Sequence, residues 1–134
     1  MQELHAALHR MKRRKAMDDN GICAEFLKDA PECFLQLVLQ LFNDVLFSSC
    51  APPDVWRRTR LTVIYKKGDA ESVSNYRPIA IISVLYKLFS RIICDRISKI
   101  LLPQQSPEQA AYRPGFSTVD HLLSMTLLQE KSTE

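Results

Sequence analysis

Two adjacent aspartates are the first side chains in this sequence whose arrangement could support catalysis. Asp18 and Asp19 stand side by side in Ala16-Met17-Asp18-Asp19, and paired carboxylates can hold the divalent ions used in phosphoryl transfer. A catalytic pair needs an apolar strand to present it, whereas this pair follows the basic run Lys12 to Lys15 and has no apolar strand on either side. We therefore expect an exposed turn here.

Histidines and cysteines offer no better metal site. His5 and His9 are four residues apart on one face of a predicted helix, but no third ligand accompanies them, and we expect ordinary surface residues. The cysteines lack the C-x-x-C spacing of a zinc ribbon or redox pair, and we expect reduced, mostly buried thiols. They are Cys23, Cys33, Cys50 and Cys94.

Three cations flank a polar stretch and could bind phosphate. Lys66 and Lys67 precede this stretch and Arg77 follows it. Arginine offers a planar fork that can stack and hydrogen-bond at once, while lysine offers a compact charge. The alternative is that all three are solvated surface cations, which is the commoner role of an arbitrary lysine.

A β-hairpin must position these cations. Hydrophobic side chains alternate with other residues from Arg60 to Lys66, as a strand requires, and a return strand is predicted over 76–82. Pro78 removes a backbone donor, so this second strand should lie at a sheet edge. Residues 67–75 form the polar, charged tip.

Helices surround the hairpin in the predicted order. Apolar residues at helical spacing predict helices over 2–15, 22–29 and 31–47, the last with Pro31 in its first turn. Ser83 can cap a long helix that Pro103 ends. Ser117-Thr118-Val119-Asp120 matches a capping pattern and opens a last helix through Gln129. The sequence therefore predicts a helix-rich α+β fold.

Composition limits the possible classes of protein. The chain has 134 residues, 46% hydrophobic content and a net charge of +3, so it can build one packed domain or part of a larger one. The weak positive charge does not by itself demand a polyanionic partner. No amino-terminal run combines a basic start, an apolar stretch and a small-residue cleavage site, so secretion is not indicated. The most apolar stretch is too short to cross a bilayer of ~30 Å. We expect an intracellular protein.

Three specific strings follow one another in the sequence: Ile64-Tyr65-Lys66-Lys67-Gly68-Asp69, Asn75-Tyr76-Arg77-Pro78-Ile79 and Tyr86-Lys87-Leu88-Phe89. With shorter strings on either side, they resemble the front half of the reverse transcriptase domain of non-LTR (LINE-type) retrotransposons. The resemblance runs from about Met11 to Gln129. It departs at Asp18-Asp19-Asn20-Gly21, where the family usually has a Gly-Pro-Asp-Gly-type turn, and at Ala111-Tyr112-Arg113, where Gly-Phe-Arg is usual.

The resemblance implies that residues 1–134 form part of a reverse transcriptase domain, the fingers portion of a right-hand polymerase. The family's palm aspartates, which hold two magnesium ions, have no counterpart in this sequence. We therefore expect no metal site and no cofactor in this fragment, and no polymerase activity from it alone. Magnesium belongs to the full-length family.

The resemblance also suggests roles for individual residues. Lys66, or Lys67 in its place, would reach the terminal phosphates of the incoming nucleotide, and Arg77 would pack on its base and contact a phosphate. A later segment matches the part of the family's proteins that contacts the template, although the side chain of Tyr112 could equally pack in the hydrophobic core. This segment comprises Gln109, Tyr112, Arg113 and Gly115.

The partners implied for the full-length family are an RNA template, a DNA primer and deoxynucleotides, with no membrane involved. The location would be nuclear or cytoplasmic, and the oligomeric state stays open. The run Lys12 to Lys15 could be a nuclear signal, a nucleic-acid patch or a solvated helix end. Two alternatives compete with the polymerase fragment: a catalytically dead nucleic-acid-binding module and a non-functional retroelement relic.

Overall fold

A computed structural model describes residues 1–48, 51–106, 109 and 113–133. Of residue 133 it describes the backbone alone. The elements confirm the predicted α+β class, and none of the helices in these ranges combines the length and apolarity needed to cross a bilayer. In chain order they are α1 (Gln2–Arg10), α2 (Ala24–Lys28), α3 (Glu32–Phe47), α4 (Asp54–Arg57), β1 (Arg60–Tyr65), β2 (Tyr76–Ile81), α5 (Val84–Leu101) and α6 (Thr118–Thr133), with 3₁₀ turns at Val73–Asn75 and Leu102–Gln104.

The chain divides into two units, Met1–Cys94 and Asp95–Glu134. The core of the first unit is built from the apolar stripes of its helices. The α1 stripe predicted from the sequence is buried throughout, and α3 buries three members of its own predicted stripe. The core residues are Leu4, Ala7, Leu8, Met11, Ala24, Leu27, Leu35, Val38, Phe42, Trp56, Val84, Leu88 and Ile92.

An aromatic cluster joins α3, α4 and α5 in this core. The buried Trp56 ring lies 5.9 Å from Phe42 and 5.2 Å from Phe89, measured between ring centroids. Such pairs add about 0.5–1.5 kcal/mol beyond the area they bury. The α4 helix that carries Trp56 was not predicted, because its four residues are too few to show a helical period.

The predicted length of α1 is wrong at its carboxyl end. The helix ends at Arg10, and Met11 is already extended, with ψ of 133°. Four consecutive cations follow, and a helix would bring like charges onto neighbouring turns. Arg14 instead adopts a left-handed conformation, with φ of 57°, and its N–H donates to a carboxylate oxygen of Glu25.

The predicted hairpin is confirmed, with each strand ending one residue earlier than expected. β1 and β2 pair antiparallel, with Arg60 opposite Ile81 and Tyr65 opposite Tyr76. Both strands are edges, so the missing N–H of Pro78 is tolerated. The two strands together are called the ribbon below. Every residue of β1 is exposed, and an isolated two-stranded ribbon is only marginally stable in water, so its base must be anchored.

The second unit contains α6 and the turn before it. The predicted capping pattern is confirmed: the Ser117 N–H donates to Oδ2 of Asp120 at 2.9 Å. The helix runs four residues beyond its predicted end at Gln129, to Thr133. Its apolar side chains are exposed, including Val119 at 66% and Leu122 at 65%, so the predicted stripe is not buried among the described residues.

Candidate nucleotide and nucleic-acid interface

Asp18 holds the first turn of α5 in place. Its Oδ2 accepts the N–H of Val84 at 2.9 Å, while Oδ1 accepts the N–H of Asn20 at 3.0 Å and of Ile22 at 2.9 Å. The first N–H groups of a helix have no partner within it, and a carboxylate satisfies one of them with favourable charge. The expected exposed turn is therefore wrong at Asp18, whose side chain is buried.

Asp19 points to a different partner. One of its carboxylate oxygens lies 3.0 Å from the guanidinium of Arg60, the residue that begins β1. The two aspartates thus secure the two ends of the ribbon's base, one at Arg60 and the other at Val84, just after β2. Their carboxylates do not converge on a common point, and no group of three His, Cys, Asp or Glu side chains suited to a metal occurs in the described ranges.

The other metal candidates are ordinary surface groups or free thiols. His5 is exposed and lies 3.3 Å from Glu32, and His9 is also exposed. The prediction that the cysteines are mostly buried is wrong: Cys33 and Cys94 are exposed and Cys23 is half-buried, all as free thiols. Each occupies a helix face or end that the core does not cover. Cys50 lies outside the described residues.

The pairing register places Lys66 and Arg77 on the same face of the ribbon. Residues directly opposite in an antiparallel pair point to the same side, and successive residues alternate. Arg77 lies opposite Ile64, and the Lys66 N–H extends the ladder by donating to the Asn75 carbonyl at 2.9 Å. Lys66 and Arg77 are therefore diagonal neighbours, with backbones about 7–8 Å apart.

Two tyrosines on the opposite face hold the tip. Tyr65 and Tyr76 pack edge to face, with ring centroids 5.6 Å apart. Their hydroxyls donate to the carbonyls of Gly68 and Ala70, the latter at 2.9 Å. The tip is thus tied back to the strands that carry it.

Asn75 completes this tie. Its Nδ2 donates to the Asp69 carbonyl at 2.8 Å. Gly68 has φ of +97°, and a Cβ there would lie 2.7 Å from Asn75 Nδ2. Only glycine fits this position without displacing the asparagine, so the loop that carries Lys67 has a defined conformation.

The cations at this tip are open to an incoming anion. Lys66, Lys67 and Arg77 are all exposed, and among the described residues their side chains have no ion pair or hydrogen bond. The nearby carboxylates Asp69 and Glu71 are also exposed. Oδ1 of Asp69 accepts the Glu71 N–H at 3.0 Å rather than a cation.

The predicted template segment lies in the second unit. The Arg113 Nη1 donates to the carbonyls of Gln105 at 3.5 Å and Ser106 at 3.2 Å, and its guanidinium sits 4.3 Å from the Phe116 ring centroid. Gln109 is exposed, and Gly115 has φ of +80° with open space where a Cβ would be. Tyr112 lies outside the described residues. The role of this segment stays a prediction.

No family model matches the chain. Individual relatives do: it is 28% identical over 134 residues to the probable RNA-directed DNA polymerase from transposon BS of Drosophila melanogaster, covering 96% of this chain and 15% of that protein. It is 30% identical over 123 residues to the probable RNA-directed DNA polymerase from transposon X-element of the same species. That match covers 90% of this chain and 13% of that protein. The chain is a homologue of non-LTR retrotransposon polymerases.

A third relative is the Pol polyprotein of the type-1 retrotransposable element R2 of Popillia japonica. It is 36% identical over 76 residues, which cover 57% of this chain and 10% of that protein. The chain therefore spans about a tenth to a seventh of the length of these polymerases. The family expected from the hairpin strings is confirmed.

The basic run Lys12 to Lys15 separates into two pairs in the structure. Arg13 forms a two-bonded ion pair with Asp29, the shorter contact being 2.7 Å, and Arg14 uses its backbone N–H on Glu25. Lys12 and Lys15 line a cavity instead. Further cations from α1 and α5 line the same cavity. They could not be predicted as a group, because spacing along the sequence does not reveal which helices meet.

Proposed function

We propose that this chain is a segment of the RNA-directed DNA polymerase of a non-LTR retrotransposon, within the fingers portion of a right-hand polymerase. We further propose that the cationic face of the ribbon contacts the triphosphate of the incoming nucleotide. The observation that carries this proposal is the placement of Lys66 and Arg77 as exposed diagonal neighbours on one face of the ribbon.

Electrostatics favour phosphate binding by these cations when the site closes and excludes water, rather than when the ribbon is open to solvent. Two unit charges 4 Å apart attract by about 1 kcal/mol in water and by about 4 kcal/mol at an effective dielectric constant near 20. Exposed cations therefore bind phosphate weakly until a moving element excludes water around them. A ribbon anchored at its base and tied at its tip can carry such cations as one piece.

The described residues do not fit a magnesium site. The two carboxylate oxygens of Asp18 already accept three backbone N–H groups, and Asp19 forms an ion pair with Arg60. We assign the two magnesium ions and the chemical step to carboxylates elsewhere in the parent polymerase. This chain's part is to bind and orient the nucleotide and the template.

Template contacts are proposed for Gln109, Tyr112, Arg113 and Gly115. Arginine has five N–H donors, and two contacts to backbone carbonyls leave others of Arg113 available for a phosphate. The RNA template, DNA primer and deoxynucleotides are the proposed partners of the parent enzyme. We place its action inside the cell, in the nucleus or the cytoplasm.

Triphosphate binding tests the ribbon. We expect the 134-residue chain to bind a fluorescent deoxynucleoside triphosphate weakly at low salt, and the double variant Lys66→Ala/Arg77→Ala to lose about tenfold or more in affinity, since a charged hydrogen bond contributes about 1.5 kcal/mol or more. Arg57→Ala/Arg58→Ala, at the last residue of α4 and the residue after it, removes the same charge outside the ribbon. Equal affinities in the two variants would refute the ribbon's role.

Primer extension tests the division of labour. With an RNA template, a DNA primer, magnesium and deoxynucleotides, we expect no synthesis by the 134-residue chain. Robust extension would contradict the assignment of the chemistry to another part of the polymerase. Reading the parent frame provides a second test, because a polymerase requires a later apolar strand bearing an aspartate and then an Asp-Asp hairpin.

A further inference from the structure

A basic groove lies in the first unit, between the segment after α1, strand β2 and the first turns of α5. Its volume is about 520 Å³. Isoleucines and alanines, among them Ile79 and Ile81, form much of its lining. Five cations complete it: Arg10, Lys12, Lys15, Lys87 and Arg91.

The charge of this groove has one sign. Of the described side chains that line it, none is acidic. Lys12, Lys15 and Lys87 are exposed, and their side chains make no ion pair or hydrogen bond within the described residues. A concave surface lined by cations over low-dielectric walls concentrates anions from solution.

Contacts between α1 and α5 define the shape of the groove. Lys87 and Arg91 are one helical turn apart on α5 and therefore lie on the same helix face. The Arg91 Nη1 donates to the Arg10 carbonyl at 3.1 Å, which joins α5 to the end of α1. This bond sets the spacing between the two cationic walls.

The groove continues the cationic face of the ribbon. Ile79 and Ile81 follow Arg77 at intervals of two along β2, so they share its face. From Arg77 to Ile81 the strand rises about 13 Å. Lys87 and Arg91 lie about 6 Å apart along the axis of α5. The strand segment alone is longer than one triphosphate, and a surface of that length suits a polymer of phosphates.

We propose that this groove binds the phosphate backbone of a single nucleic-acid strand. This inference rests on the proposed function, to which it adds a strand site outside the ribbon tip and outside the predicted template segment. The cations contact phosphates along the strand, while bases pack against the aliphatic lining. No aromatic side chain lines the groove among the described residues, so base stacking on aromatic rings is absent and binding has little sequence preference.

Salt dependence gives the most direct test. For single strands the slope of log affinity against log salt is about −0.7 for each phosphate contact. We expect Lys15→Gln/Lys87→Gln to reduce the magnitude of this slope by about 1.4, equivalent to about a sevenfold change in relative affinity between 50 and 200 mM salt. The control Lys99→Gln/Lys131→Gln removes two exposed lysines outside the groove and should leave the slope unchanged.

The probes are a labelled 12-nucleotide RNA and a DNA of the same sequence, followed by fluorescence anisotropy. Binding of either strand with the expected change in slope supports the proposal. Equal slopes in the groove and control variants would overturn it. Competition by polyglutamate as strong as that by the unlabelled strand would also overturn it, because the site would then recognise acidic peptides. Arg91 is left unchanged in these variants because its contact with α1 is structural.

The ribbon variant Lys66→Ala/Arg77→Ala separates this inference from the proposed function. If the groove variant loses strand binding but keeps triphosphate affinity, both sites stand as proposed. If only the ribbon variant changes either affinity, the groove proposal fails and the ribbon proposal survives. Fluorescence of Trp56, the one tryptophan in the chain, verifies that each variant retains the core of the first unit.

Discussion

Replacing Asp18 should destabilise the first unit far more than replacing its neighbour Asp19. In Asp18→Ala the N–H of Val84 loses its charged acceptor in a buried setting, which costs about 2 kcal/mol. The N–H groups of Asn20 and Ile22 also lose their acceptor, but they are only partly buried, and about 0.5 kcal/mol each is a reasonable loss. The total is about 3 kcal/mol, a large part of the 5–15 kcal/mol typical of a folded domain.

Asp19→Ala provides the matched control. Its ion pair with Arg60 joins side chains that are about half exposed, so solvent screening limits its contribution to about 0–1 kcal/mol. Asp18→Asn keeps the size and one acceptor oxygen of Asp18 while removing the charge at the helix end. It should fall between the two alanine variants, and it keeps the comparison possible if Asp18→Ala does not fold.

Urea unfolding followed by Trp56 fluorescence measures the difference, because this residue is buried in the core that α5 completes. With a slope of about 1.5 kcal/mol per molar urea, 3 kcal/mol shifts the midpoint by about 2 M. Asp19→Ala should shift it by less than about 0.7 M. If the two alanine variants unfold at the same midpoint, Asp18 does not hold α5 as its hydrogen bonds indicate.

Three further predictions concern local backbone and charge. Arg14 has positive φ, so Arg14→Gly should be about 1 kcal/mol more stable than Arg14→Ala in urea unfolding. At Arg13, where φ is not positive, the alanine variant should be more stable than the glycine variant. The hydrogen bond from the Arg14 N–H lowers the pKa of Glu25. The charged Glu25 carboxylate therefore stabilises the fold above about pH 4.5, and this contribution is lost as the pH falls through the lowered pKa. Glu25→Gln should remove this part of the pH dependence of the urea midpoint. Gly68→Ala should displace the Asn75 side chain and speed hydrogen exchange of the Asn75 backbone N–H. Unchanged exchange at this N–H would mean that the tip is not held as described.

Much of the fold could be predicted because it depends on local patterns. The apolar stripe of α1 and the alternation in β1 each reflect which face of one element meets the core or its partner. The register of the hairpin was not predicted, because the connection over residues 66–75 allows more than one pairing. A shift of one residue would move Arg77 to the face opposite Lys66, so the structure decided that the two cations share a face.

Other features could not be predicted because they depend on contacts between distant segments. Asp18 and Val84 are 66 residues apart, and nothing near Asp18 in the sequence indicates that a helix begins beside it. The same holds for the basic run, where Arg13 turns to Asp29 while Lys15 faces a groove shared with α5.

The amino-acid sequence by itself determined the retrotransposon family, the order of every helix except α4, and the ribbon that carries the cations, because each is encoded in short stretches of residue types. The tertiary structure decided the partner of each charged side chain. Whether a charge is buried, paired or open to an anion depends on which segments come together, as the end of α1 and the interior of α5 do at Arg10 and Arg91.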